Sequence, residues 1–557
     1  MSPNQKSPTL HSIILIGFMG TGKTEVGRLL ANRLSLDFVD LDDLIAERAG
    51  LSVPAIFDTS GEPRFRALET EAIRSLATRS PFVLATGGGA MLNPENADLL
   101  RLYGMVVLLR ASPAVILQRV AQGERRPMLE DAPDPLARVK QLLNERKPAY
   151  SLADYSLDTS RISPEAAANS IEALHRQWLS EDVVDLPLQR DPYLIHIKDG
   201  IIRQAGQRLR SLGLRGRLLI VTDHNVVGGA NHPEQGRRVA SHYASLVTRS
   251  LEAAGFETLL HSVPPGERSK SRSQLWSLLD IMADFKMTRD STVLALGGGV
   301  VGDLAGLAAA LYMRGVNLVQ VPTSLLAQVD SSVGGKVAVD HPRAKNLIGA
   351  FYQPRLVLID PLCLRTLPRR ELRCGLAEVV KYAAIADETL FSHLETNAEK
   401  LLRLDSALLR QIIKQCCQIK AQVVLEDERE TLGRREVLNF GHTFAHAVEA
   451  ALNYSGIKHG EAVSLGMIAA SRLSAELGLV SDDVPPRLSA LLSRLGLPIV
   501  LPQCPPQACL DSLAHDKKAR AEATRFVLLD GALGKTTIVA NPPAEAVTRA
   551  VGSICGS

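Results

Sequence analysis

Eight residues near the start, Gly17-Phe-Met-Gly-Thr-Gly22-Lys23-Thr24, have the spacing GxxxxGK[ST]. Glycines so placed let backbone N–H groups wrap a phosphate, which makes Gly20, Thr21 and Gly22 candidate contacts. The lysine can neutralise β and γ phosphate oxygens, and the hydroxyl after it can ligate Mg²⁺. A look-alike, Gly531-Ala-Leu-Gly-Lys535-Thr, lacks the four-residue spacing and opens no helix, so it reads as a turn. Asp40 and Asp42 close the next apolar run, where a carboxylate can reach a Mg²⁺ shell. Arg66 opens a helical stretch, Gly87–Gly89 end a strand, Arg126 lies in a loop, and Arg146 follows. A planar guanidinium can hold a carboxylate through two parallel hydrogen bonds, so these arginines suit a small acidic acceptor.

A second set of chemistry-bearing residues lies in the other half of the chain. Gly297-Gly-Gly-Val-Val-Gly302-Asp303 follows an apolar strand and heads a helix, which suits a pyrophosphate on a helix N-terminus. Its spacing is not GxGxxG, so the run alone does not identify a dinucleotide site. His442, His446 and His459 fall within 18 residues. The first two, at i and i+4, share a helical face, and spacing alone makes them either a metal pair or histidines satisfied within their helix. Thr443 stands where a zincin has its glutamate, which argues against that class. Lys336, Lys345 and Lys381 occur in apolar, glycine-containing segments that a merely solvated face would not need.

These residues need elements to hold them. Ser12–Ile16, Asp37–Val39, Phe82–Ala85 and Met105–Leu109 read as buried strands, with helices over Lys23–Leu34, Phe65–Ala77 and Ile171–Leu179. Strands alternating with helices imply an α/β unit built on a parallel sheet. The acidic, proline-bearing run SEDVVDLPLQRDP shows no period and reads as a linker over 181–192, after a first domain at 1–180. A second α/β series follows: LIHI, RLLIVTD, STVLALGGG, LVQVP and LVLID. It predicts an α/β domain at 193–360 and a mostly helical one at 361–557.

A chain of 557 residues is too long for one core and suggests about three or four domains. Basic and acidic residues nearly balance at 63 and 60, and no Lys/Arg run exists, so nucleic acid is a poor partner. Seven cysteines, an odd number without CxxC, argue against a disulfide framework and fit a reducing cytoplasm. The polar N-terminus lacks the apolar stretch of a signal peptide, and no apolar run of about 18 residues suggests a membrane span.

With the phosphate loop, the glycine run and the arginines in place, residues 12 to about 175 resemble a shikimate kinase. The resemblance implies ATP held by Gly20, Thr21, Gly22, Lys23 and Thr24, with Mg²⁺ supported by Thr24 and Asp40. It implies that Asp42 holds the shikimate hydroxyls and orients the attacking one. Arg66 and Arg146 would clamp the carboxylate, Gly88 would lie against the ring, and Arg126 would close over ATP from a lid near 120–132.

The run VPTSLLAQVDSSVGGKVAVDHPRAKNLIGAFYQP, then GLAEVVKYAAI and the histidine segments, resemble 3-dehydroquinate synthase over about 193–550. Against the spacing argument, this resemblance implies Zn²⁺, with Co²⁺ as an alternative, on Glu378, His442 and His459, leaving His446 to substrate. It implies NAD on Asp223, Asn225, Glu267, Lys270, Gly299, Val300, Val301, Gly302, Asp303, Thr323 and Ser324. Asp330, Lys336 and Lys345 would line the cofactor–substrate boundary. Asn346, Lys381, Lys420, Arg435, Asn439, His446 and Lys517 would enclose a small phosphorylated substrate, with Lys336 also facing its phosphate. Asp330, Lys381, Lys420 and His446 would serve catalysis, and Arg314 would reach in from a neighbouring subunit of a homodimer. The segment before Asn439 is one residue longer than the family pattern, which leaves Arg434 as an alternative to Arg435.

Overall fold

The structure, a computed structural model, describes residues 11–121, 133–228, 231–232, 237–238, 243–520 and 524–555. The chain falls into two compact units, Met1–Glu181 with Ser245–Ser250, and the remainder.

In the first unit five parallel strands form one sheet: β1 (Ser12–Ile16), β2 (Asp37–Asp40), β3 (Phe82–Ala85), β4 (Gly104–Arg110) and β5 (Tyr155–Asp158). Their order is β2-β3-β1-β4-β5. Every residue of β1 and β3 is buried, as uninterrupted strings such as SIILI require in a sheet covered on both faces. The winding reverses at β1, with β2 and β3 to one side and β4 and β5 to the other. Loops leaving the carboxyl ends of β1 and β3 therefore open at a switch point, where ligands bind in such sheets. The helix expected at Phe65–Ala77 begins earlier and runs Val53–Ser75, broken by non-helical backbone at Gly61.

The second unit is built on seven strands in the order β11-β8-β12-β13-β16-β7-β6. They are β6 (Asp182–Leu186), β7 (Tyr193–Ile197), β8 (Arg217–Asp223), β11 (Glu257–Val263), β12 (Thr292–Gly297), β13 (Asn317–Pro322) and β16 (Leu356–Ile359). Two-residue β9 (Asn231–His232) and β10 (Arg237–Arg238) pair separately, as do the hairpins β14 (Lys336–His341) with β15 (Ala344–Phe351) and β17 (Arg525–Asp530) with β18 (Ala532–Ala540). The winding reverses at β8, so the crevice beyond β8 and β12 is the switch point here. The look-alike phosphate string lies in the β17–β18 hairpin, with Gly531 at φ 73° in its turn.

Two expectations need correction. Residues 182–186, expected within a linker, form β6, which pairs antiparallel with β7 over Asp182–Leu186. Val184 and Leu186 point into the core, and Asp182 is held by Arg410 at 2.6 Å and Lys414 at 3.0 Å. The expected boundary at residue 360 does mark the change from sheet to helices. It does not separate two cores, because Ile195, Val357 and Ile359 share one apolar cluster with Leu376, Ile413 and Leu465 from the helices beyond.

Candidate active sites

The phosphate loop of the first unit leaves β1 and ends at the helix Lys23–Leu34. Gly17, Gly20 and Gly22 have φ of 146°, 74° and 90°, which side-chain-bearing residues rarely adopt. Lys23 Nζ donates to the carbonyls of Gly17 at 2.9 Å and Phe18 at 3.0 Å, so its charge sits over the loop's mouth. Thr24 Oγ1 donates to Asp40 Oδ2 at 3.0 Å, and the two oxygen donors expected for Mg²⁺ are thereby neighbours. Asp40 also caps the next helix by accepting from Asp42 N at 3.1 Å, which fixes where Asp42 projects.

Three successive glycines after β3 form the floor under the expected acceptor residues. A Cβ at Gly87 would lie 3.1 Å from Asp42 Oδ1, at Gly88 2.8 Å from Arg146 Nη1, and at Gly89 2.9 Å from Arg66 Nη2. Arg146 is buried, donates to Gly88 O at 3.0 Å and stacks on Phe18 with its guanidinium carbon 5.0 Å from the ring centre. Arg66 bonds Glu69 at 3.0 Å and Glu62 at 3.0 Å. Burial pushes the Glu69 carboxyl up although Arg66 pulls it down, and its Oε1 has no hydrogen-bond partner. The sequence reading missed Glu69 and Tyr150, whose hydroxyl donates to Gly88 O at 2.9 Å. Glu69 stands one helical turn after Arg66, which was the available signal. Arg126 and most of the expected lid lie outside the described residues.

In the second unit, Gly297 ends β12 and Gly298 heads the helix Gly299–Leu311, which carries Val300, Val301, Gly302 and Asp303. A Cβ at Gly299 would lie 2.9 Å from Ser331 Oγ, and one at Gly298 3.4 Å from Ser324 Oγ, so this helix end is kept narrow and bare. Asp223 ends β8 and accepts from Asn225 N at 2.8 Å and Val226 N at 3.1 Å. Lys270 ion-pairs with Asp303 at 2.8 Å and bonds Asn346, while Glu267 stands 3.5 Å away. Burial raises the Asp303 carboxyl to about 6 despite Lys270. Thr323 is buried just past β13, two strands from Asp223 in the sheet order.

Beside this crevice lies a buried ionic network. Asp330 sits in a π-helical turn, Ala327–Ser331, a distortion frequent at functional sites. Its carboxylate accepts from Tyr382 OH at 2.9 Å and from Lys420, with Lys381 at 3.8 Å. Burial pushes Asp330 up, but Lys420 and Lys381 outweigh it and hold the carboxyl well below its usual range. Burial lowers Lys420, whereas Glu378 and Asp330 overcome burial at Lys381 and raise it. Tyr382 was not anticipated; one position beyond Lys381, it offered no spacing signal.

Lys381 also pairs with Glu378 Oε2 at 2.5 Å. Glu378 Oε1 is buried without a hydrogen bond and faces His442 Nε2 at 3.5 Å and His459 Nε2 at 3.7 Å. Tetrahedral Zn²⁺ with bonds of about 2.1 Å separates its ligands by about 3.4 Å, so an orphaned oxygen and two imidazoles fit such an ion. Burial, then Lys381, lowers His442 well below its usual range and keeps it neutral, as a ligand must be. His446 lies outside the trio, its ring centre 5.8 Å from that of His442. The i, i+4 pair favoured by spacing is thus not the cluster that forms.

Arg435 is buried, and a Cβ at Gly334 would lie 2.8 Å from its Nη2. Arg434 is exposed, its backbone N–H bonded to Asp427, so only Arg435 turns inward. Lys336 and Lys345 are more exposed than their apolar sequence neighbours suggested; they pair with Glu430 and Glu449. Asn439 is exposed ahead of the helix His442–Ala451, Lys517 lies on the helix Pro506–Arg520, and Arg314 is exposed in a turn after Leu311. Among the described residues one other donor cluster exists, Cys504, Cys509 and Cys555. Burial pushes the Cys555 thiol up to about 12 and Cys509 further, so these two are protonated core thiols.

The geometry defines a phosphate-cradling unit and a second unit that joins a glycine-headed helix to a carboxylate–imidazole cluster. Family models match accordingly: shikimate kinase over 19–175, 3-dehydroquinate synthase N-terminal over 260–374, and its C-terminal counterpart over 375–519. The 3-dehydroquinate synthase of Desulforamulus reducens is 47% identical over 62% of this chain and 92% of its own length. That of Crocosphaera subtropica is 43% identical over 67% of this chain and 99% of its own. A solved 2-epi-5-epi-valiolone synthase from Streptomyces hygroscopicus subsp. jinggangensis, with NAD⁺ and Zn²⁺ bound, shares 29% identity and a TM-score of 0.58 over 65% of this chain and 97% of its own. The chain belongs to the 3-dehydroquinate synthase family and carries a shikimate kinase domain ahead of it.

Proposed function

We propose that the chain performs two reactions of the shikimate pathway of aromatic amino-acid biosynthesis. The first unit phosphorylates the 3-hydroxyl of shikimate from ATP. The second converts 3-deoxy-D-arabino-heptulosonate 7-phosphate to 3-dehydroquinate and phosphate. The observation that carries this reading is the buried, unpartnered Glu378 Oε1 between His442 and His459, beside the Asp330–Lys381–Lys420 network.

In the first unit Thr24 and Asp40 support Mg²⁺ while Lys23 neutralises phosphate charge. Asp42 orients the attacking hydroxyl above Gly87, and Arg66 and Arg146 hold the carboxylate above Gly88 and Gly89. Phosphoryl transfer asks mainly for such positioning and charge neutralisation. In the second unit Glu378, His442 and His459 hold Zn²⁺ or Co²⁺, and the switch-point crevice takes NAD⁺ at the head of the helix Gly299–Leu311. When bound, the metal polarises substrate hydroxyls and the dinucleotide takes and returns a hydride. Arg435 holds the substrate carboxylate. Lys336, Asn346, Asn439 and His446 face its phosphate, and Lys381, Lys420 and Lys517 complete the enclosure.

The same reading makes the protein a homodimer through its synthase half. Arg314 follows a 13-residue helix whose glycine-rich head is at the cofactor crevice. At 1.5 Å per residue that is about 20 Å away, too far to serve its own site. Exposed Leu311 and Met313 flank it. Light scattering should find a 182–557 fragment dimeric; an active, strictly monomeric fragment would refute this. A cytoplasmic location goes with the reading, supported by seven cysteines that form no disulfide; no described helix is long and apolar enough to cross a membrane.

The deciding experiment assays purified protein with both substrate pairs and follows ADP formation and phosphate release separately. Activity from only one pair would remove the corresponding half of the proposal.

A further inference from the structure

The two histidines of the cluster are oriented alike. Each turns Nε2 toward Glu378 Oε1, and each has an oxygen behind Nδ1. Behind His442 the oxygen is the backbone carbonyl of Phe440, at 3.3 Å. Behind His459 it is the carboxylate of Glu449, at 3.5 Å from Nδ1. A neutral imidazole that presents a lone pair at Nε2 carries its proton at Nδ1, and that proton needs an acceptor. Glu449 is 5% exposed, so its carboxylate is buried where an unpaired charge would be costly. It lies seven residues after His442 on the same helix, two turns along one face. The same oxygen lies 3.5 Å from Lys345 Nζ on β15.

We infer that Glu449 is a positioning residue of the metal site: it accepts the Nδ1 proton of His459, fixing the tautomer and ring orientation that present Nε2 to the ion. Through Lys345 the same carboxylate ties the β14–β15 hairpin to the metal ligands. The inference rests on the proposed metal site. A backing carboxylate raises ligand basicity, and losing such a partner typically costs 10–100-fold in metal affinity. The carbonyl behind His442 supplies orientation without charge, so His459 is the ligand whose affinity depends on a side chain.

The test is chelator competition for Zn²⁺ on the full-length protein, with the visible spectrum of the Co²⁺ form as a second readout. Glu449→Gln keeps the shape but loses the charge; it should weaken Zn²⁺ binding about 10–100-fold and shift the Co²⁺ bands. Glu449→Asp, which keeps a carboxylate, should recover part of that affinity. Lys345→Ala, which cuts the hairpin tie alone, should leave metal affinity within about threefold. Wild-type affinity in Glu449→Gln, or equal losses in Glu449→Gln and Lys345→Ala, would overturn the inference. If Glu378→Gln also binds Zn²⁺ as tightly as wild type, the metal site itself is misplaced, which separates the two failures. Melting curves of the metal-free variants identify any that fail to fold, and for these Glu449→Asp alone decides.

Discussion

Glu378, His442 and His459 come from one helix interior and two helix starts, and only the last two are near in sequence. Periodicity therefore favours His442 with His446, since an i, i+4 pair is the sole geometric relation visible along the chain. The fold decides otherwise, because Glu378 approaches from the helix Arg369–Ala386 and meets the Nε2 atoms of His442 and His459. His442→Ala should thus abolish zinc retention and synthase turnover together, whereas His446→Ala should retain zinc and lose turnover. Elemental analysis of both variants checks this; zinc lost only from His446→Ala contradicts the assignment. The choice between Arg434 and Arg435 was likewise closed to sequence. Adjacent residues in the turn Arg434–Asn439 point apart, and only the structure puts Arg435 over Gly334.

At the scale of elements, strands that are apolar along their whole length were easiest to read. β1, β3, β12 and β16 come from such strings, and burial on both sheet faces leaves no polar residue to interrupt their apolar runs. β8 and β13 read as strands too, although β8 (RLLIVTD) is polar at both ends and β13 (NLVQVP) carries the buried Gln320. The edge strands were harder. β11 (ETLLHSV) has mixed polarity because only one residue, Val263, is fully inside. β6 (DVVDL) alternates, but five residues between an acidic start and a proline gave too short a period to separate from a linker. Its structural role has a measurable consequence. A fragment starting at 182 keeps Val184 and Leu186 buried against the core, while one starting at 188 exposes the edge of β7. At about 1.5–3 kcal/mol per fully buried side chain, losing the two side chains costs on the order of 3–6 kcal/mol. Urea unfolding should show the 188–557 fragment less stable by that order. Equal midpoints for the two fragments would mean that β6 is an accessory strand.

At the scale of the whole molecule, the question is whether two active centres on one chain act together. The chemistry assigned to them argues that they do not pass substrate directly. The synthase product, 3-dehydroquinate, must be dehydrated and then reduced before it becomes shikimate, so direct transfer would deliver a molecule the kinase cannot phosphorylate. Each centre also lies at a switch point of its own sheet, within one compact unit. Lys23 bonds the carbonyls of its own loop, and His442 belongs to the carboxylate–imidazole cluster of the other unit. Lys23→Ala should therefore remove kinase activity and leave the synthase rate within about twofold, since sites without shared partners usually act additively. His442→Ala should do the reverse. Each rate is to be measured in both variants, in wild type, and with the complementary substrates present. A tenfold fall in the untouched activity of a folded variant would show coupling between the units. A rise in kinase rate on addition of the synthase substrate alone would show transfer that this chemistry forbids.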